Sequence, residues 1–215
     1  MPRVTFRRRL LLTGLVALTA AAVSAPAQAA TYKVGDCGRA VASLQAKLKA
    51  ARYPTGGVDG CYGQATRHAV LAFQLAHGLR PDGIAGARTL AQLRTPRAVA
   101  ARSSAAGVHV EVTRARQLLL VVTNARVKAI YAVSTGKAGY RTPSGTFRVS
   151  RQQVAGWSYQ YNVPLPWVSY FLRGYAVHAG TIPGRPASHG CVRVPPPFAE
   201  AIYRQMPVGS SVVIY

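Results

Sequence analysis

The chain has 215 residues, of which 49% are hydrophobic, so it has room for one medium domain or two small ones and is too apolar for wholesale disorder. It carries 27 basic and only 5 acidic side chains, for a formal net charge of +22. The basic residues are scattered rather than gathered in one run, which fits either a polyanionic partner or a solvated cationic surface.

The first 29 residues are typical of a signal peptide. A basic start with Arg3 and Arg7–Arg9 precedes an apolar run, Leu10–Val23, and the cleavage pattern Ala27-Gln28-Ala29 follows. The run is shorter than the roughly 20 residues that a membrane-spanning helix needs, and an uncleaved anchor is the alternative. We expect an exported protein of the cell wall or extracellular space, with no nucleic-acid partner and with anionic wall polymers as possible partners.

Residues 30–96 contain an internal repeat. The pattern D-G-x-x-G-x-x-T begins at Asp59 and again at Asp82. Asp-Gly favours a tight turn because glycine tolerates positive φ. Helical apolar spacing covers residues 41–51 and 65–76, and a shorter helix follows the second turn. The pattern predicts a small three-helix bundle over 30–96, with a linker at 97–106 for which a helical extension is the alternative.

The chain has three cysteines, Cys37, Cys61 and Cys191. Cysteines of exported proteins tend to pair, and the first two belong to the predicted bundle. A Cys37–Cys61 disulfide would stabilise this small domain by roughly 3 kcal/mol. Cys191 would then be a free thiol, which is exposed to oxidation outside the cytoplasm. Its presence suggests that it is used, and an inert buried cysteine is the alternative.

The bundle segment resembles the peptidoglycan-binding domain type 1 family, which implies noncovalent binding to cell-wall peptidoglycan. The matching positions are Gly38, Val41, Leu44, Gln45, Leu48, Tyr53, Val58, Asp59, Gly60, Gly63, Thr66, Ala69, Val70, Phe73, Gln74, Gly78, Leu79, Asp82, Gly83, Gly86 and Thr89.

From Gly107 onward the chain is rich in apolar and β-branched runs separated by turn signals. These runs are residues 108–112, 117–123, 127–135, 145–150, 175–179 and 210–215. They predict a mainly antiparallel β domain, sandwich-like, over residues 107–215. A short helix is predicted over 197–206, after prolines that end strand pairing.

The hexapeptide SHGCVR, residues 188–193, contains the unpaired cysteine. A thiol attacks as its thiolate, and an ordinary cysteine is only a few per cent ionised at neutral pH. His189, two residues from Cys191, and His178, at the end of the strand YAVH, are both candidate bases. A zinc site formed by these three side chains is the alternative, but no further Cys or His pair has metal-ligand spacing, and we expect no metal and no cofactor.

Two neighbours of Cys191 add to this chemistry. Gly190 permits a bend that can turn successive N–H groups inward as an oxyanion hole. Arg193 lies two residues beyond Cys191, so an extended segment presents both on one face. Its guanidinium would hold a substrate carboxylate or favour the thiolate.

Residues 108–215 resemble the YkuD-type L,D-transpeptidases. The resemblance rests on four segments, which are Ser134–Lys137, Thr142–Phe147, His178–Gly180 and Ser188–Arg193. The loop between His178 and Ser188 has nine residues, fewer than is usual in this family.

The family implies that Cys191 attacks the carbonyl between the third residue and the terminal D-Ala of a peptidoglycan tetrapeptide stem. D-Ala leaves, and an amine of a neighbouring stem resolves the thioester to form a 3→3 cross-link. The family also implies that His178 is the base, oriented by the carbonyl of Ala179. The backbone N–H groups of His189, Gly190 and Cys191 would stabilise the oxyanion, and carbapenems would acylate the thiol.

Residues 156–175 hold much of the aromatic content, including Trp157, Tyr159, Tyr161, Trp167 and Tyr170. We expect a lid over the acyl site, and ordinary core packing is the alternative. Together with Ser188 and Ala179, the lid residues Tyr161 and Trp167 are predicted to bind substrate. An L,D-carboxypeptidase, with water as the acceptor, and a noncatalytic wall-binding protein remain alternative functions.

Overall fold

The computed structural model describes residues 1–2 and 30–215, so the predicted signal peptide lies outside the described residues except for its first two. Within the described part, no helix has the length and apolar character needed to cross a membrane. The helices are α1 Arg39–Ala50, α2 Gln64–His77, α3 Ala87–Gln92 and α4 Pro196–Arg204. The strands are β1 Val108–Thr113, β2 Leu118–Thr123, β3 Arg126–Ala132, β4 Gly145–Arg148, β5 Arg151–Ser158, β6 Val163–Leu172, β7 Tyr175–Ala179, β8 Val192–Val194 and β9 Ser211–Ile214.

The first Asp-Gly turn is held by a glutamine of the preceding helix. Gln45 of α1 donates from Nε2 to Asp59 Oδ1 at 2.8 Å, and its Oε1 accepts the Gly60 N–H at 2.9 Å. The same Nε2 donates to Thr66 Oγ1 at 3.0 Å, at the start of α2. One buried amide thus joins two helices and the turn between them, which satisfies polar groups that would be costly to bury unpaired.

The second turn repeats the arrangement one helix later. Gln74 of α2 donates to Asp82 Oδ1 at 2.9 Å and to Thr89 Oγ1 at 3.2 Å, and accepts the Gly83 N–H at 2.8 Å. The sequence repeat is therefore a repeated hydrogen-bond set between a glutamine, an aspartate and a threonine. The predicted three-helix bundle and the predicted Cys37–Cys61 disulfide are both present.

The strands form two sheets packed face to face, in the orders β3-β2-β1-β9-β4 and β5-β6-β7-β8. Most pairs are antiparallel, and β1 with β9 and β7 with β8 are parallel. Apolar side chains of both sheets and of α4 fill the space between them, among them Val110, Leu119, Val121, Val177, Val192 and Phe198. The predicted mainly antiparallel, sandwich-like domain is confirmed, with strands β5, β6 and β8 in addition to those predicted.

The helical bundle covers the outer face of the larger sheet. Strand β2 is buried on both faces, and its alternate residues Leu118, Leu120 and Val122 share one apolar cluster with bundle residues such as Leu48 and Phe73. The Ile130 N–H of β3 donates to the Arg52 carbonyl, beyond the end of α1, at 2.9 Å. The bundle and the sandwich therefore share a continuous core.

The predicted linker has no regular secondary structure, but it is bound to the sandwich. The N–H groups of Arg102 and Ser103 donate to the two carboxylate oxygens of Glu111 at 2.8 and 2.7 Å. Glu111 is fully buried in β1, and its carboxylate also accepts the Tyr215 hydroxyl at 3.2 Å. The segment that connects the two domains is thus fixed at its middle.

Candidate active site

The histidine and cysteine singled out by the sequence meet at the parallel pair of strands β7 and β8. His178 is paired with Arg193 across the two strands, and Cys191 directly precedes β8. Because residues two apart in an extended segment face the same side, Cys191 and Arg193 lie on the face that carries His178. All three line a cavity of about 840 Å³.

The His178 ring has a defined orientation. Its Nδ1 lies 2.8 Å from the Ala179 carbonyl oxygen. A carbonyl only accepts hydrogen bonds, so Nδ1 carries the proton and the Nε2 of a neutral ring is free to accept one. Burial lowers the pKa of His178, the bond to Ala179 opposes this change, and the positive charge of Arg193 adds to it. The ring is therefore held as a neutral base.

The Cys191 thiol is also held in its neutral form. Burial raises its pKa, while a backbone hydrogen bond at Ala176 and the charge of Arg193 lower it. The Sγ atom lies 3.7 Å from the Gly174 carbonyl oxygen. A thiol in this environment needs a neighbouring base at the moment of attack.

The turn before Cys191 depends on a glycine. Gly190 has φ 117°, and a Cβ there would lie 2.6 Å from Cε1 of the Tyr175 ring. Its N–H donates to Ser188 Oγ at 3.0 Å, so one of the three expected oxyanion donors is already bonded inside the turn. Among residues 30–215, the N–H groups of His189 and Cys191 have no acceptor. These two remain available to an oxyanion.

Hydrogen bonds from the segment 134–142 hold this turn in place. The Thr142 hydroxyl donates to the Gly190 carbonyl at 2.7 Å and accepts the Gly136 N–H at 2.9 Å. The Lys137 N–H donates to the Ser188 carbonyl at 3.0 Å. Gly136 is required here because a Cβ would fall 1.8 Å from the Tyr140 carbonyl oxygen. The sequence motifs around 134–137 and 142–147 thus position the cysteine turn.

The hairpin of β5 and β6 forms the opposite wall of the cavity. It contributes Trp157, Tyr159 and Tyr161, which are 44%, 91% and 39% exposed. The Tyr161 ring stacks on His189 with centroids 4.5 Å apart, and Tyr140 meets the same imidazole edge-on at 4.8 Å. His189 therefore connects the hairpin tip to the cysteine turn, and Tyr161 lies in the cavity wall.

Trp167, which the sequence predicts to bind substrate, is not among the residues that line the cavity. Its backbone has φ 55°, which interrupts the alternation of β6. Leu165 before it and Tyr170 after it both line the cavity, whereas the Trp167 ring meets Tyr203 of α4 at 5.4 Å. A left-handed residue inside a strand has no clear sequence signal when it is a tryptophan.

Ser188 lies in the cavity wall, while Ala179 contributes its carbonyl to His178 and not its side chain to the cavity. Sequence reasoning missed Tyr140 and Arg141, which also line the cavity. Their position directly before Thr142 of the TPSGTF stretch is the signal that points to them. Nowhere in the described residues do three or more His, Cys, Asp or Glu side chains gather as a metal site would require.

Comparisons with known proteins agree with this layout. The L,D-transpeptidase catalytic domain family, YkuD, matches residues 107–214, and the peptidoglycan binding domain family matches residues 37–93. A crystal structure of an L,D-transpeptidase from Xylanimonas cellulosilytica is 37% identical, with a TM-score of 0.77, and the alignment covers 89% of this chain and 100% of that chain. An L,D-transpeptidase from Stackebrandtia nassauensis is 28% identical, with a TM-score of 0.52 over 86% of this chain and 94% of that chain.

Some curated relatives match only the bundle region. The zinc D-Ala-D-Ala carboxypeptidase of Streptomyces albus G is 46% identical over 63 residues, which are 27% of this chain and 24% of that protein. The chain spans about a quarter or less of the length of the first curated relatives that it matches. A family match over half of the chain, at the domain that carries the Cys–His cavity, has a direct consequence. The chain belongs to the L,D-transpeptidase family with a YkuD catalytic domain, preceded by a peptidoglycan-binding domain.

Proposed function

We propose that the protein is an exported L,D-transpeptidase that acylates Cys191 with a peptidoglycan stem and transfers the acyl group to an amine of a neighbouring stem. The observation that carries this proposal is that Cys191 and His178 line the same cavity, with His178 Nδ1 fixed by the Ala179 carbonyl so that Nε2 is free to act as a base. The family match at residues 107–214 supports the reaction class.

In the first half-reaction, His178 Nε2 takes the thiol proton as Sγ attacks the carbonyl between the third residue of the stem and its terminal D-Ala. The N–H groups of His189 and Cys191 stabilise the oxyanion. The imidazolium then gives its proton to the departing amine, so D-Ala leaves neutral at nitrogen and a thioester remains on Cys191.

In the second half-reaction, an acceptor amine attacks the thioester carbonyl and His178 takes the amine proton. The thiolate leaves as the tetrahedral intermediate collapses and takes the proton back from His178, and a 3→3 cross-link is formed. Arg193 contributes in both halves, because its charge lies on the same face as the thiol and favours the thiolate. In the donor complex its guanidinium pairs with the carboxylate of the terminal D-Ala.

The helical bundle delivers the enzyme to its substrate. A peptidoglycan-binding domain raises the concentration of stems at the cavity by holding the enzyme on the polymer. The excess of basic residues makes anionic wall polymers secondary partners. The signal peptide predicted over residues 1–29 places the enzyme in the cell wall or extracellular space.

A product analysis separates this function from its alternatives. The mature chain is incubated with a synthetic tetrapeptide stem, and the products are identified by mass spectrometry. We expect D-Ala and a cross-linked stem dimer. Tripeptide without dimer would indicate an L,D-carboxypeptidase instead. No turnover, together with no carbapenem adduct on Cys191, would indicate a noncatalytic wall-binding protein.

A further inference from the structure

The cavity wall is strongly cationic. Two guanidinium groups, those of Arg141 and Arg193, line it, and no carboxylate is among the described lining residues. Its ligand therefore meets two positive charges with no internal counter-charge. Such a site favours an anion over a neutral ligand.

Both guanidinium groups are free to pair with a ligand because the few carboxylates of the chain are occupied elsewhere. The five are Asp36, which accepts the Lys33 N–H; Asp59 and Asp82 at the two bundle turns; Glu111, which binds the linker; and Glu200, which pairs with Arg204. Within residues 30–215, Arg141 has neither an ion pair nor a side-chain hydrogen bond. An exposed arginine at the edge of a cationic cavity, with no partner of its own, is suited to binding a substrate anion.

The position of Arg141 is fixed relative to the nucleophile. On one side, the Tyr140 N–H donates to the Lys137 carbonyl at 2.9 Å, and its ring meets His189. On the other side, the Thr142 hydroxyl donates to the carbonyl of Gly190. The backbone of Arg141 is therefore anchored at both neighbours to the turn that carries Cys191.

We propose that Arg141 forms a second carboxylate subsite, which selects donor stems whose third residue carries a side-chain carboxylate. This inference rests on the proposed function, in which Arg193 pairs with the terminal carboxylate one residue beyond the attacked carbonyl. The remaining carboxylate nearest the reacting bond belongs to the side chain of the third residue. A diamino diacid at that position presents this group, whereas lysine or a carboxamide does not. The substrate class is thus the stem with a free acid on its third residue.

The test measures binding separately from turnover. The Cys191→Ala protein, which cannot be acylated at that position, is titrated by calorimetry with two tetrapeptides. One has diaminopimelate with a free side-chain carboxylate as its third residue, and the other has the same residue as the carboxamide. We expect the free acid to bind about tenfold more tightly, the scale of one partly exposed charge-assisted hydrogen bond. Adding Arg141→Gln should remove this difference and leave the carboxamide affinity unchanged.

The matched control is Arg126→Gln in the same background. Arg126 is an exposed arginine at the start of β3, outside the cavity, so this change removes the same charge at a distance. We expect it to keep the preference for the free acid. Equal affinity of the two peptides for the Cys191→Ala protein, or a preference that survives Arg141→Gln, would overturn the subsite.

Release of D-Ala by the protein with Cys191 intact tests the proposed reaction separately from the Arg141 subsite. Release of D-Ala from both stems without an affinity difference contradicts the Arg141 subsite and supports the reaction. An affinity difference that depends on Arg141, without release of D-Ala from either stem, supports the subsite and contradicts the reaction.

Discussion

Burial opposes charge on both Cys191 and His178, the proposed nucleophile and base. The pKa of His178 is lowered below its ordinary value and that of Cys191 is raised, in each case mainly by loss of solvent. The resting pair is therefore a neutral imidazole and a thiol, and the proton moves only as the carbonyl is attacked. A resting thiol is also less open to oxidation than a thiolate, which would suit a free cysteine outside the cytoplasm, where the proposed function places the protein.

The lowered pKa of His178 predicts the acid limb of the pH profile. The base must be unprotonated, and its pKa lies below 6.5 because burial disfavours the imidazolium. Acylation measured by D-Ala release should therefore persist below pH 6.5 and fall only as the pH drops through the lowered pKa. An acid limb centred above pH 6.5 would contradict this assignment.

The two histidines should respond differently to substitution. We expect His178→Gln to lower kcat/KM for acylation about 10²- to 10⁴-fold, because the general base is lost. His189→Gln removes the ring contacts with Tyr140 and Tyr161 but keeps the backbone N–H, so it should act mainly on KM. Initial rates of D-Ala release from one stem peptide measure both. An equal loss of kcat in the two variants would refute the distinction.

At the scale of elements, the turn that carries Cys191 is positioned by the segment 134–142. Gly136→Ala should disrupt this segment, because the added Cβ meets the Tyr140 carbonyl and cannot be accommodated without a backbone shift. We expect a lower melting temperature and loss of D-Ala release. Gly57→Ala is the matched control, since a Cβ there meets nothing within 4 Å. A Gly136→Ala protein with unchanged activity would contradict the supporting role.

The sequence predicted elements whose signals are local. The Asp59 and Asp82 turns mark the bundle, and the apolar runs of the sandwich are bounded by turn residues. The two strands of the β5–β6 hairpin were not predicted. Pro164 and Pro166 lie in the second of them, and prolines argue against a strand assignment. The orientation of Trp167 depends on a positive φ, and its ring packs on Tyr203 of α4, a contact distant in the chain.

Several residues that the sequence singles out line the cavity, but part of the cavity lining was not predicted. Cys191, His178 and Ser188 are recognisable because their motif is local and specific. Tyr140 and Arg141 reach the cavity because long-range contacts hold their segment, among them the bond from Thr142 to the Gly190 carbonyl, 48 residues away in the chain. A contact of this range has no periodicity that a single sequence displays.

At the scale of the whole molecule, the wall-binding bundle is a third layer of the fold. The outer face of β2 and β3 is apolar and is covered by α2, while the linker is fixed through Glu111. The continuous apolar run of β2 is the feature of the sequence that indicates this third layer, because a strand covered on both faces needs apolar residues on both. The bundle is therefore held in a fixed position against the larger sheet.

Because the bundle and the sandwich share one apolar core, we expect them to unfold together. A chain of residues 30–215 should unfold in urea as one cooperative transition, with bundle and sandwich signals changing together. Near-ultraviolet circular dichroism of the sandwich tryptophans and hydrogen exchange of α1 and α2 report the two parts separately. Two resolved transitions, with the bundle unfolding first and the sandwich unaffected, would show that the layers are independent.

Acyl transfer to Cys191 is most directly tested by trapping the intermediate. The mature protein is mixed with a tetrapeptide stem in the absence of an acceptor, quenched in acid within seconds, and its intact mass is measured. The account predicts an adduct equal to the tripeptidyl group on Cys191, with release of one D-Ala. This adduct should be slower to form in His178→Gln and absent in Cys191→Ala. Release of D-Ala by the Cys191→Ala protein would contradict the account.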